Sequence, residues 1–499
     1  MRKLIGTTIL YKQFNRRAFL ATLFFVLASK PVTATGKLNN TKCEWCWLGA
    51  VTNNSITIKA KLNNKVVARK NYIQVFYHQT PNLNSNNKET KKIYAASLDD
   101  KIATFNLVDL AEDTIYYYVI IADGRRYPTE GTLQFKTVKV NQPYSFAIAC
   151  SSCAGGTVGQ FSSTGVSNSK VFDVIAKYRY KTENGQDSNL ALFIHMGDLH
   201  YRNDLPFLGL KEEYLDDYRH NYDLVMNQSR QKNLYQNIPL AYIWDDHDYG
   251  FNDSDGSYNL KYLASKTYRE QVPHYPLVES VDETKGQGGI YQSFVIGRVR
   301  FIMTDSRFHQ DPISGESPLN KTLLGERQKV WLLEQLKLGK KQQESNQEQL
   351  IIWVNNIPWI AQTDDDKTGS WNKFEQERNE IANFIKDNSI DKLLMISGDA
   401  HMLAIDDGES GSANSYATDG GGSFPVIQAA SLDSRGSFKG GPYNGEKYII
   451  DPKVKSKNGA IPGNRQWGLL NFTDDGNKIR VKVELKRMEE TLIQHTFYY

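Results

Sequence analysis

Long apolar runs are scarce in this 499-residue chain, and cysteine is scarcer still, at four residues. The one sustained apolar run, residues 18–29 (AFLATLFFVLAS), falls short of the roughly 20 residues that a membrane-spanning helix needs. Nothing after it approaches that length. So few cysteines in so long a chain exclude a disulfide-stapled scaffold. Acid is missing from the first 34 residues, which hold Arg2, Lys3, Lys12, Arg16, Arg17 and Lys30. The rest of the chain carries 54 basic against 56 acidic side chains, so the overall charge of +4 belongs to that first segment. A protein that coats nucleic acid is therefore disfavoured, and no nucleic-acid-binding module is evident. What is present is 40% hydrophobic, 23% charged and 12% aromatic, with 28 tyrosines, the make-up of a chain with a sizeable core. Its length exceeds that of a single small module.

The basic start, the apolar run and the small residues Val32 and Ala34 predict an export signal over residues 1–34. The sequence Arg16-Arg17-x-Phe19-Leu20 resembles the core of a twin-arginine signal. The expected location is outside the cytoplasm: periplasmic, secreted or on the cell surface. The expected partner of this leader is the export machinery, with membrane contact only through the leader if it stays uncleaved.

Residues 47–140 predict an N-terminal β-sandwich domain. Ile56, Ile58 and Ala60, then Ile73, Val75 and Tyr77, alternate with the period of two that one buried sheet face requires. The stretch from Leu110 to Asp123-Gly124 resembles the end of a fibronectin-III-like sandwich, with residues 131–137 as its last strand. From residue 144 to 499 the pattern changes. Short apolar runs at 146–149, 190–194, 240–244, 299–303, 350–354 and 393–396 alternate with helical stretches such as 170–179 and 325–338. That alternation predicts an α/β or layered α+β core. Residues 478–486 (KIRVKVELK) predict a final edge strand.

Six apolar runs end in residues able to bind a metal or an anion. They deliver Cys150; His195, Asp198, His200 and Tyr201; Asp245, Asp246, His247 and Asp248; Asp305 and Arg307; Asn355 and Asn356; and Asp399 with His401. Ligands gather beyond the carboxyl ends of strands in α/β sheets, so six such ends in chain order point to one site.

Taken together, Gly197-Asp198-x-x-Tyr201, Trp244-Asp-Asp-His247-Asp and Gly398-Asp399-Ala-His401 resemble the PhoD-like (alkaline phosphatase D) branch of the calcineurin-like metallophosphoesterases. Thr304-Asp-Ser-Arg307, Pro358-Trp359 and Gly440-Gly441-Pro442-Tyr443 support the resemblance, which spans about residues 47–475. It implies an α+β fold: a four-layer αββα metallophosphoesterase sandwich behind an immunoglobulin/fibronectin-III-like β-sandwich. It also implies an exported phosphohydrolase acting on phosphate mono- or diesters, with metal-bound hydroxide attacking phosphorus. A phospholipase D-like phosphodiesterase is the enzymatic alternative, and a surface protein binding phosphorylated polymers without catalysis is the other.

Two or more metal ions are expected. The first would take Cys150, Asp198, Tyr201 and His401, a thiolate, phenolate and imidazole set that suits Fe3+, the ion the resemblance implies at the Cys/Tyr site. Cys153 is the rival for the thiolate. The second would take Asp198, Asp246, Asn356 and Asp399, with Asp245 as a further candidate. Purple acid phosphatases, a sister branch, align histidines with Asn356 and Asp399; the oxygen ligands here suit Ca2+, Mg2+ or Mn2+. His247 is expected to protonate the leaving oxygen, Asp248 to orient it, Arg307 to clamp the phosphoryl group and His200 to contact substrate or metal-bound water. His195 is expected to pack within its strand, and Cys43 and Cys46 to form a local disulfide or remain free thiols.

Overall fold

The computed structural model describes residues 43–63, 71–83, 88–94, 98–155, 165–181, 185, 187–201, 214–279, 288–313, 321–361, 369–409 and 414–499; the expected leader lies outside them. The apolar runs after residue 144 become strands of two large sheets. In the first, Phe146–Ser151, Leu192–Met196 and Leu240–Ile243 lie side by side and parallel. In the second, Val299–Met303, Leu350–Asn355, Leu393–Ser397 and Val426–Ala429 do the same. Parallel pairing brings the carboxyl ends of neighbouring strands to one edge of each sheet, which is what the predicted site needs.

Side-chain alternation sets the packing. Phe301, Ile352, Val354, Leu394 and Ile396 share a core with Ile148, Leu469 and Leu470 of the first sheet. Their neighbours Ile302, Ile351, Trp353, Leu393 and Met395 point the other way, into a core with Leu332, Leu336, Ile381 and Ile385. Those four belong to the helices Gly325–Glu344 and Glu375–Asp387. A strand buried on both faces reads as an unbroken apolar run, which explains why residues 350–354 (LIIWV) show no alternation. The fold is mixed α/β. Among the described residues, no helix is long and apolar enough to cross a membrane.

The first sheet has nine strands and extends in both directions. On one side lie Gln466–Asp474, Ile479–Arg487 and Glu490–Tyr498, all antiparallel. Residues 478–486 are therefore not the edge strand expected, because the chain reverses through Met488, at φ +54°, and Glu490–Tyr498 covers them. On the other side Gly49 pairs with Leu240, so Cys43–Gly49, Ile56–Leu62 and Ile102–Leu107 continue the same sheet. Tyr72–His78, Ile115–Ala122 and four shorter strands form a separate six-stranded sheet.

The early strands are fastened to the helices behind the first sheet by buried polar contacts. The Trp45 indole donates to Asp223 Oδ1 (2.9 Å) and that of Trp47 to the Gln271 carbonyl (2.7 Å). Lys61, 1% exposed, pairs with Asp223 (2.6 Å) and Asp100 (2.8 Å). The two large sheets are joined by a fully buried ion pair between Arg298 and Asp474. All four cysteines are free and buried, so Cys43 and Cys46 form no disulfide; the Cys46 sulfur instead lies 3.8 Å from the Tyr118 hydroxyl.

Candidate functional site

At the carboxyl edges of the two sheets, residues distant in sequence come within ligand reach. Cys153–Asp198–His401, Asp198–Asp246–His247 and Asp198–Asp245–Asp399 each keep one donor atom per residue within 4.8 Å of the others. Asp198 belongs to all three, as a ligand shared between two ions must. The backbone is bent to achieve this: Cys153, Asp198, Asp399 and His401 have φ of +58°, +57°, +57° and +52°. A non-glycine residue held there costs on the order of 1–3 kcal/mol, and such residues collect at functional sites. Gly197, at φ +90°, is obligatory, since a Cβ on it would meet the Asp245 Cβ at 2.4 Å.

One half of the cluster carries sulfur, phenol and imidazole. The Tyr201 hydroxyl donates to Asp198 Oδ2 (2.6 Å) and lies 3.0 Å from His401 Nε2. On the other side of that ring, Nδ1 is 2.7 Å from the Arg435 carbonyl. A carbonyl only accepts, so Nδ1 holds the proton and Nε2 presents its lone pair to the cluster, as a metal-ligating histidine does. The thiol here is Cys153, not Cys150. The strand runs on to Ser151, leaving Cys150 buried in the sheet beside Gly468, where burial pushes its thiol up to about 12. The turn after Ser151 delivers Cys153, and Ser152 Oγ fixes that turn by accepting the Asp399 N–H (3.1 Å).

The other half is all oxygen. Asp246 accepts from the N–H groups of Asp253 (2.7 Å) and His247 (3.1 Å). Asn356 donates from Nδ2 to Asp245 Oδ1 (2.9 Å) and to the Trp244 carbonyl (3.0 Å), while its own oxygen accepts from Ser306. His247 packs at a tilt against Tyr201 with ring centroids 4.1 Å apart, and a ring nitrogen sits within ligand reach of Asp198 and Asp246. That proximity makes His247 a candidate ligand as well as a candidate acid.

Three expectations change. The Arg307 guanidinium is 2% exposed and commits Nε and Nη2 to Asp245 Oδ1 (2.6 and 2.5 Å), so it braces that carboxylate and keeps at most Nη1 for a phosphoryl group, not the two-pronged clamp expected. Asp248 accepts the N–H groups of Leu199 (2.7 Å) and Asp245 (3.1 Å), which makes it a tie between two strand-end turns and not a partner of the His247 ring. His200 is buried beside Tyr201 but belongs to none of the three groups. His195 packs edge-on against Phe193 and Tyr242, as expected.

Sequence reasoning passed over Lys439, which donates to Asp399 Oδ1 (2.7 Å). The only signal was a lysine directly before Gly440-Gly441-Pro442. It placed Asp305 at a strand end but gave it no role; its carboxylate gathers the Trp244 indole (2.8 Å) and the N–H groups of Arg307 (2.9 Å) and Ile290 (3.0 Å).

The electrostatics show a site short of positive charge. Burial first, then repulsion from Asp246, Asp245 and Asp248, pushes the Asp198 carboxyl well above the usual range. Burial does the same to Asp245 despite the attraction of Arg307. Asp246 moves the opposite way: burial is overridden by Arg307, His247 and Lys439. Burial pushes Asp248 up to about 7, and burial with the nearby Lys439 charge lowers His401 to about 4. Asp245 Oδ2 is buried with no hydrogen-bond partner among the described residues. An unpartnered carboxylate oxygen beside like charges fits a cation-binding site, and the donor set of each half fits a different kind of ion.

The sequence model of the PhoD-like phosphatase family matches residues 173–439, more than half of the chain. Alkaline phosphatase D of Bacillus subtilis (strain 168) is 25% identical over 207 residues, covering 38% of this chain and 35% of that protein. The alignment thus spans about a third of that relative's length. A solved structure of PhoD superposes with a TM-score of 0.64 at 17% identity, over 91% of this chain and 90% of the other, a likeness of fold.

Proposed function

The chain belongs to the PhoD-like phosphatase family, and from that membership we propose an exported, metal-dependent hydrolase of phosphate mono- or diesters. The observation that carries the reading is the convergence of Asp198 with three differently composed ligand groups at the sheet edges. Cys153, Asp198, Tyr201 and His401 would hold a ferric ion, and Asp198, Asp245, Asp246, Asn356 and Asp399 one or more Ca2+, Mg2+ or Mn2+. When bound, such ions supply neutralising charge to the phosphoryl oxygens and a water acidic enough to attack at ordinary pH.

The residues do the rest. His401 keeps its proton on Nδ1 against the Arg435 carbonyl and leaves Nε2 unprotonated. Arg307 holds Asp245 in place, and Asp248 locks the turn that carries Asp245 and His247 to the one that carries Asp198. His247, packed against Tyr201 at the cluster, gives its imidazole proton to the leaving oxygen. We further read the layered sheets as an αββα sandwich over residues 144–499 behind an immunoglobulin-like sandwich over 47–140. Export rests on the leader at 1–34.

A chromogenic phosphate monoester and a diester, assayed side by side before and after chelation, test the activity. Turnover of at least one, lost on chelation and regained with iron and calcium, supports it. No turnover of either with any metal contradicts it and favours the phosphate-polymer-binding alternative.

A further inference from the structure

We propose that Lys439 is a substrate-contacting residue, a reachable cation that takes the phosphoryl group and favours a dianionic monoester over a monoanionic diester. The inference rests on the phosphohydrolase reading and deepens it. Two cations pair with the cluster's carboxylates among the described residues, and they differ in access. Arg307 is 2% exposed, with Nε and Nη2 held by Asp245 and Nη2 also 3.8 Å from Asp246. Lys439 is 30% exposed and has one carboxylate partner, Asp399, at 2.7 Å.

The backbone around Lys439 is anchored on both sides. The Ser437 N–H donates to the His401 carbonyl (3.2 Å) and its hydroxyl to that of Ala400 (3.1 Å). Two residues after Lys439, the Gly441 N–H donates to the Ile360 carbonyl (2.7 Å). Gly440 permits that approach, since a Cβ on it would meet the Ile360 carbonyl oxygen at 2.5 Å. The loop is thus pinned to the strand end that carries Asp399 and His401, while the four-carbon stem of Lys439 would let its ammonium exchange Asp399 for a phosphoryl oxygen. Such a point charge gains more from a phosphate with two charges and three unesterified oxygens than from a diester with one charge and two.

The test uses metal-loaded wild type, K439Q and K439R. Three quantities are measured: the dissociation constant of inorganic phosphate, KM for a chromogenic monoester and a diester, and the metal content of each protein. In K439Q, phosphate affinity falls about tenfold or more and monoester KM rises in step, as expected for a lost charge-assisted contact. Diester KM stays within about threefold, and K439R recovers most of the loss. K439M, which keeps the apolar stem, replaces K439Q if glutamine impairs folding. Unchanged phosphate affinity in a folded variant overturns the proposal, and so does an affinity loss that tracks lost metal. Wild-type protein that binds phosphate in a Lys439-dependent way yet hydrolyses neither ester defeats the hydrolase reading alone. Wild-type protein active on an ester but matched by K439Q in every constant defeats the Lys439 role alone.

Discussion

Cys150 and Cys153 lie three positions apart and meet opposite fates. Sequence points to Cys150 because it directly follows an apolar run, but two further residues, Cys150 and Ser151, belong to that strand. A strand's last residue is invisible in composition, so the thiol that turns into the site could not be chosen from the pattern. Cys153→Ser should remove the soft-site metal and any colour it gives, while Cys150→Ser should leave both intact; metal analysis and a visible spectrum decide. Asp198, Asp246, Asp399 and His401 were legible because each follows a strand end within a short motif. Lys439 was not, because it reaches the cluster from a loop with no apolar run before it.

His247 has two readings that one variant separates. His247→Ala should lower kcat by about 10²–10⁴-fold with metal content unchanged, the loss expected of a general acid. Loss of metal would make it a ligand instead. The carboxyls give a third prediction, for the metal-stripped protein. Asp248 is raised to about 7 in the fold, above its unfolded value near 4, so its contribution is fully present below about pH 4 and disappears as pH rises through about 7. Asp198 and Asp245 shift in the same direction, whereas His401, lowered to about 4, acts oppositely between about pH 6.5 and 4. The buried imidazoles of His195 and His274, lowered to about 3 and about 4, act in the same sense as His401, so the carboxyl contribution is read against a variant. From pH 5 to pH 8 the melting temperature of stripped wild type should fall relative to that of stripped Asp248→Asn, and added divalent ion should restore it. An equal difference at both pH values would contradict this.

Strands and helices were easier to read than their neighbours. Alternation located Ile56–Leu62 and Tyr72–His78, and unbroken apolar runs located the parallel strands buried on both faces. The strand Glu490–Tyr498 was missed because its polar residues (ETLIQHTFY) resemble a tail, and only its pairing with Ile479–Arg487 gives it form. Long-range ion pairs were invisible in the same way. Lys61→Met leaves Asp223 and Asp100 without their buried cation and should cost about 3–5 kcal/mol in denaturant unfolding. Arg298→Met should cost a similar amount by stranding Asp474, and pairing it with Asp474→Leu should recover much of the loss. A cost under about 1 kcal/mol for either single change would show that these pairs do not fasten the sheets.

The described chain is knit together by one sheet that begins in the early strands and ends at residue 498. Trp45 and Trp47, both 0% exposed, bury themselves among helices that also back the strands leading to the site. Hydrophobic patterning revealed the strands but not this continuity, which depends on the single register Gly49↔Leu240. What unites the fold is the meeting of two parallel sheet edges around Asp198, and metal stoichiometry tests that directly. Elemental analysis of protein purified from its native host should find at least two ions per chain, iron among them, and fewer in Asp198→Asn. Protein that folds and carries no metal, or an Asp198→Asn variant with undiminished metal, would contradict the account.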